Sequence, residues 1–191
     1  MVKRLIIAAA ILVIAGAGFY AIANRFYPLK YLEIIEKNAA EYGLPVELVC
    51  AVIHAESRFD AGAVSKKGAR GLMQIAEITA DWAAAELAIE DYDYDKAFDA
   101  EFNILIGCWY LARLGRQFGG VADTALAAYN AGSGNVSKWL GEKENSGDGV
   151  NLDNIPFGET RAYVKKVNGN TKIYGYILKL RRLRPGLFNR A

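Results

Sequence analysis

A single histidine, two cysteines and no strong excess of either charge leave little room for several kinds of chemistry in this 191-residue chain. Cys50 and Cys108 show no CxxC and no metal-ligand spacing. Each lies in an apolar helical run and reads as a buried thiol. A disulfide outside the cytoplasm stays open, because sequence alone does not bring two Cα atoms within bridging distance. His54 precedes Glu56 by two residues, so it faces another side of any helix the two share and reads as a packing residue. No segment alternates apolar and polar residues at length, and no repeat is present, which excludes an extensive sheet or a solenoid. The charge balance is +2 overall. Beyond residue 28 it falls to 20 of the 23 basic residues against all 21 acidic ones, so nothing points to nucleic acid. Asp91-x-Asp93-x-Asp95 opens like a calcium loop. Lys96 stands where such a loop needs glycine, however, and Phe102 where it needs a bidentate glutamate. That run reads as a solvated acidic turn, and no metal or cofactor is expected.

What the chain has in quantity is apolar residues, 53% of the total, and the excess sits at the front. Residues 5–23 are free of charge and follow Lys3 and Arg4. As a helix this stretch spans ~28 Å at about 1.5 Å per residue, enough to cross a hydrocarbon core. The two preceding cations favour an N-terminus in the cytoplasm with the rest of the chain outside, and Tyr20, Phe26 and Tyr27 suit the outer interface. Ala21-Ile22-Ala23 also resembles a small-residue cleavage site, so secretion after signal-peptide cleavage is the alternative. The apolar run exceeds the ~7–15 residues of a signal-peptide core, and no polar segment precedes the alanines, which favours an uncleaved single-pass anchor. Residues 1–28 are read as that segment and 29–191 as one domain beyond the membrane.

After Pro28 the periodicity is helical. Residues 31–42 place Leu32, Ile34, Ile35 and Ala39 on one side; Gly43 ends the helix, and Pro45 suits the first turn of the next, 45–56. Val46, Leu48, Val49, Val52 and Ile53 make this second helix apolar around most of its circumference. It belongs in the core, and Glu56 is the last residue of a buried element. Short helical pieces over 72–87 precede a long helix over 101–118 with Asp99 as its N-cap. Further helices are expected at 121–131, 136–140 and 160–180, the last with Tyr163, Val164, Val167, Tyr174 and Ile177 inward. Residues 141–154 are polar and glycine-rich and read as a mobile loop. The class is all-α.

A carboxyl at the end of an apolar helix can be held protonated near neutral pH, because desolvation disfavours its charged form. A protonated carboxyl is what cleavage of a glycosidic bond asks of a general acid. A glutamate at a helix end is more often a cap or a surface residue, and the company of Glu56 is what singles it out. Ser65 and Gln74 lie on a glycine-flanked turn, Tyr129-Asn130 precede the break Gly132-Ser133-Gly134, and Glu159 opens the last helix. Polar groups at the ends of buried helices collect in clefts. Trp82 and Trp139 are open to stacking on sugar faces, whereas Trp109 reads as core.

Four blocks carry a resemblance. Glu56-Ser57 with Ser65 and Gly68-Ala-Arg-Gly-Leu-Met-Gln-Ile75 form the first. Asn103-Ile-Leu-Ile-Gly-Cys-Trp-Tyr-Leu111, Ala125-Leu-Ala-Ala-Tyr-Asn-Ala-Gly132 and Ile155-Pro-Phe-Gly-Glu-Thr-Arg-Ala-Tyr-Val164 are the others. In this order, across residues 31–180, they resemble the lytic transglycosylases of the soluble, goose-lysozyme-like type. The resemblance implies a lysozyme-like helical domain acting on peptidoglycan glycan strands, at the β-1,4 bond between N-acetylmuramic acid and N-acetylglucosamine. It makes Glu56 the acid and base, with Ser65 and Tyr129 positioning the sugar and the carboxylate. Gln74 and Asn130 would line the cleft, Met73 would be an apolar wall, and Glu159 would hydrogen-bond within it. The chain departs from the family pattern at Ala76-Glu77, where Met-Pro is frequent. Hydrolysis of the muramidase type, with Glu159 as second carboxylate, and a catalytically silent wall-binding module are the competing readings. Lys179, Arg181, Arg182, Arg184 and Arg190 read as a solvated helix end, with a membrane- or wall-binding tail as the alternative.

Overall fold

The computed structural model describes residues 25–183, and the expected membrane-spanning segment over 5–23 lies outside them. Among the described residues no helix is long and apolar enough to cross a membrane. Contacts divide the chain between Lys30 and Tyr31.

After Tyr31 the described residues form seven α-helices and one 3-10 helix: α1 Leu32–Tyr42, α2 Val46–Glu56, α3 Glu77–Glu86, the 3-10 helix Tyr94–Phe98, α4 Ala100–Gln117, α5 Ala122–Ala131, α6 Ser133–Leu140 and α7 Gly158–Leu183. Only isolated bridges, Val64 with Arg70 and Arg70 with Ile75, interrupt the helical pattern among the described residues. Local chemistry sets the boundaries. Gly43 adopts the left-handed conformation that a side chain would disfavour, and its N–H closes α1 onto the carbonyls of Ala39 and Ala40. Pro45 stands just before α2 in extended conformation. The Asp99 carboxylate accepts from the N–H of Phe102 and so satisfies one of the four donors left open at the start of α4.

The core gathers around α2 and α4. Val49 to Ile53 are all fully buried, so α2 has no face directed wholly to water, as its apolar circumference requires. It packs most extensively on α7, whose Tyr163, Val164, Val167, Tyr174 and Leu178 point inward. The middle of α4 is equally enclosed, and Gly107 is the point where Met73 lies on its backbone. A Cβ there would collide with the methionine side chain. Cys50 and Cys108 are buried and free, and burial pushes both thiols up to about 12.

Three stretches add to or depart from their sequence reading. Of the helical pieces expected over 72–87, only Glu77–Glu86 is helix. The acidic segment is structural as well as solvated: Asp93 caps the 3-10 helix through the N–H of Asp95, and Asp95 pairs with Arg70 at 2.7 Å. Residues 141–154 are the irregular connection expected, and side chains within it bond to its own backbone. Asp148 accepts from the N–H groups of Val150 and Asn151 and from the Asn151 amide, while Asn145 and Ser146 are buried. These local side-chain bonds give the glycine-rich stretch a defined path that composition alone does not reveal.

Candidate active site

Glu56 closes α2, and Ser57 leaves the helix behind it. Arg58 and Phe59 then both take positive φ, 55° and 65°, as does Gln74 at 49° on the facing turn. Residues with side chains adopt this conformation at a cost of order 1 kcal/mol or more, so the surrounding packing must hold it. Phe59 is nearly inaccessible and lies against Tyr174 of α7, which is what drives the chain through that reversal.

The turn over residues 68–75 is fastened by side chains from four separate elements. The Ser57 hydroxyl, after α2, donates to the carbonyl of Leu72 at 2.7 Å, with the Ile53 carbonyl at 3.3 Å as a weaker second acceptor. The Tyr94 hydroxyl, on the 3-10 helix, lies 2.8 Å from the Gly68 carbonyl and 2.9 Å from that of Ile75. Asn103 of α4 accepts from the Met73 N–H at 2.7 Å and donates to the carbonyls of Arg70 at 2.9 Å and Ala97 at 2.7 Å. The Tyr129 hydroxyl of α5 donates to the Met73 carbonyl at 2.9 Å. Gly71 sits where a Cβ would meet the Ala97 carbonyl and the Asn103 amide, and its φ of 76° suits glycine alone.

Burial governs the electrostatics of Glu56. Its carboxyl is pushed up to about 7 by desolvation; the Tyr163 hydroxyl and the Lys166 ammonium oppose the rise by favouring the carboxylate. The Tyr163 hydroxyl is buried, makes no hydrogen bond of full geometry, and lies against that carboxyl. Burial and the neighbouring Glu56 charge hold Tyr129 and Tyr163 well above the ordinary phenol range, so both stay protonated donors. Lys166 also donates to the Ala55 carbonyl at 2.7 Å, tying α7 to the end of α2.

The other residues singled out by sequence fall in different places. The Ser65 hydroxyl accepts from the N–H groups of Lys67 and Ala69 and shapes the turn. The Gln74 amide donates to the carbonyls of Ala63 and Gly71, so its nitrogen is engaged within the same turn. Met73 is fully buried on Gly107. The side chain expected as an apolar wall is enclosed in the core, and Met73 reaches Asn103 and Tyr129 through its backbone. Asn130 accepts from Thr160 at 2.8 Å, joining the end of α5 to the start of α7. Glu159 is exposed in the first turn of α7. Trp139 is buried, whereas Trp82 remains 39% exposed, edge-on to Trp109. Among the described residues no group of three or more His, Cys, Asp or Glu side chains could hold a metal ion.

Tyr163, Lys166, Ser57 and Asn103 are the residues whose part at this site the sequence left unassigned. Asn103 carried a signal, since a polar side chain on the buried face of an apolar helix must find partners. Tyr163 read as core and is core, but its hydroxyl end reaches the carboxyl. Chemically, the arrangement is a carboxyl able to hold or release a proton near neutrality, flanked by phenols and one ammonium.

A family model described as the transglycosylase SLT domain matches residues 33–151. The chain is 36% identical over 167 residues to the soluble lytic murein transglycosylase of Escherichia coli strain K12, covering 86% of this chain and 26% of that protein. It is 31% identical over 167 residues to the membrane-bound lytic murein transglycosylase C of Yersinia pestis strain Pestoides F, covering 76% of this chain and 46% of the relative. Thus it spans about a quarter of the length of the first relative and under half of the second. Among solved structures, an inactive mutant of the lytic transglycosylase Slt from Pseudomonas aeruginosa superposes with a TM-score of 0.73 at 30% identity, over 82% of this chain and 26% of that one. The 70-kDa soluble lytic transglycosylase of Escherichia coli gives 0.71 at 33%, over 80% and 25%.

Proposed function

The chain belongs to the transglycosylase SLT domain family, and on that premise we propose that it is a peptidoglycan lytic transglycosylase with Glu56 as its sole acid and base. The bond cleaved is the β-1,4 link between N-acetylmuramic acid and N-acetylglucosamine. One observation carries this reading: burial raises the Glu56 carboxyl to about 7, and the groups acting on it are a phenol and an ammonium, with no second carboxylate among them.

A carboxyl poised at that value can serve in both directions at neutral pH. Protonated Glu56 gives its proton to the glycosidic oxygen as the C1–O bond breaks, and the substrate's own N-acetyl carbonyl stabilises the cationic sugar. The carboxylate left behind is favoured by the Tyr163 hydroxyl and Lys166. It then takes the proton of the C6 hydroxyl on the same muramic acid while that oxygen bonds to C1. A 1,6-anhydro ring closes, Glu56 ends protonated as it began, and no water is consumed. The intramolecular hydroxyl outcompetes solvent because it is already in place.

Ser65, Gln74, Asn130 and Glu159 are assigned to binding and shaping the glycan cleft. Met73 and Tyr129 position the turn that faces Glu56. Residues 1–28 are assigned to holding the domain at the outer side of the cytoplasmic membrane through the apolar stretch over 5–23.

The experiment is product analysis on purified peptidoglycan. Anhydro-ended fragments are expected from the unaltered chain and none from Glu56→Gln. Fragments one water heavier would replace the transglycosylase reading with hydrolysis, and binding without cleavage would leave a silent wall-binding module.

A further inference from the structure

The outer face of α7 carries a feature that the chemistry at Glu56 does not use. On a helix of 3.6 residues per turn, Tyr163, Val167, Tyr174 and Leu178 define the inward side. The opposite side carries Lys165, Lys172 and Lys179, seven residues apart, and then Tyr176, Leu180 and Leu183 at i, i+4 and i+7. The three apolar side chains are 72%, 56% and 70% exposed, and they share one stripe. All three lysines are exposed, and none forms an ion pair with the described residues.

The charge pattern is one-sided well beyond this stripe. From Thr160 to the C-terminus the chain contains nine lysines and arginines and no aspartate or glutamate. Helices α1 and α4 carry both signs, whereas α7 carries only positive charge after Glu159. An uninterrupted cationic helix with a tyrosine and two leucines on its outward face is the composition of a segment that lies in a membrane interface. The cations suit anionic headgroups, and the apolar stripe suits the acyl boundary beneath them. A second copy of the same helix fits poorly, because it would bring like charges together. A polyanionic chain would match the lysines and leave the leucines in water.

We infer that the outward face of α7, with Lys165, Lys172, Lys179, Tyr176, Leu180 and Leu183, docks on an anionic lipid surface. Residues 165–183 give a contact about 27 Å long at about 1.5 Å per residue, lying along the membrane plane. Tyr163, which meets Glu56, is on a different side of the helix, so docking leaves the candidate site uncovered. The inference is independent of the proposed chemistry and of any insertion by residues 5–23.

The test uses the full chain with Leu180→Cys carrying a nitroxide; Cys50 and Cys108 are buried, so the added thiol takes the label. The spectrum is read with vesicles of about 30% phosphatidylglycerol in phosphatidylcholine and with pure phosphatidylcholine, so that the anionic lipid is the only difference. A several-fold fall in accessibility to a water-soluble nickel chelate, with a rise in accessibility to oxygen, is expected only with the anionic vesicles. About 0.5 M salt reverses part of it. Adding Lys172→Glu and Lys179→Glu returns the label to water while the near-UV spectrum of the fold is kept. Equal accessibility with both lipids overturns the inference, as does burial of the label that survives the charge reversals. A label already shielded without vesicles also overturns it: dilution-sensitive shielding means a second copy, dilution-insensitive shielding the chain's own C-terminal residues.

Discussion

The hydroxyl of Tyr129 donates to the carbonyl of Met73 at 2.9 Å, which ties the end of α5 to the turn opposite Glu56. The same tyrosine senses the Glu56 charge. One side chain therefore both anchors the turn and faces the carboxyl, and its loss has two separable consequences.

Tyr129→Phe leaves the Met73 carbonyl without its donor while the ring packing against Tyr110 survives. Stability falls by about 1–3 kcal/mol, the range for a buried acceptor left unpaired. Cleavage slows about tenfold, equivalent to about 1.4 kcal/mol in the barrier. Thermal unfolding and turnover of purified peptidoglycan measure the two effects.

Glu56→Gln removes the proposed acid, and the expected outcome is cleavage lowered by about three orders of magnitude. It also changes the pH dependence of stability. Burial pushes the Glu56 carboxyl up to about 7 in the fold, from an ordinary value of 4.5. Between those values the native state binds more protons than the unfolded one, so stability falls as pH rises through that window. The glutamine variant escapes this loss. It unfolds like the unaltered protein near pH 4 and is more stable by about 3 kcal/mol above pH 8, a difference read from urea midpoints across pH.

Lys166→Met withdraws an ammonium that favours the carboxylate form of Glu56. The Glu56 carboxyl then holds its proton to higher pH, and the alkaline limb of the kcat/KM profile moves upward. A downward movement contradicts the electrostatic role given to Lys166. Stability changes by less than about 1 kcal/mol, since the ammonium is exposed to solvent.

Asn103→Ala orphans the Met73 N–H and removes donors from the carbonyls of Arg70 and Ala97, all at a buried position. The expected loss is about 3–5 kcal/mol. Asn103→Asp keeps the acceptor for Met73 but sets a carboxylate against two carbonyls, so it too lowers the denaturation midpoint. An alanine variant as stable as the unaltered chain removes Asn103 from the framework of the site.

The helices were legible because their signals are local. Gly43, Pro45 and Asp99 mark boundaries through conformational preference and capping, which need no knowledge of the rest of the chain. Most ends moved by one to three residues where caps were weak, as at α6, which starts at Ser133 directly after Gly132, but α3 starts only at Glu77, because residues 72–76 belong to the turn. Residues 141–154 were legible as an irregular connection, whereas the path they take is set by the Asp148 and Asn145 side chains, which glycine content does not reveal.

For the site, the sequence by itself determined that Glu56 ends an apolar helix, and that the blocks around Ser65–Gln74, Tyr129–Asn130 and Glu159 accompany it. That follows from residue type and spacing along one chain. Which atoms of those residues face one another was decided only by tertiary structure. Gln74 donates inward to Ala63 and Gly71, Met73 buries its side chain on Gly107, and the hydroxyl of Tyr163 reaches Glu56. Each depends on how α2, α4, α5 and α7 are rotated against one another. That rotation is set by packing volumes across helices far apart in sequence, and periodicity within a single helix carries no record of it.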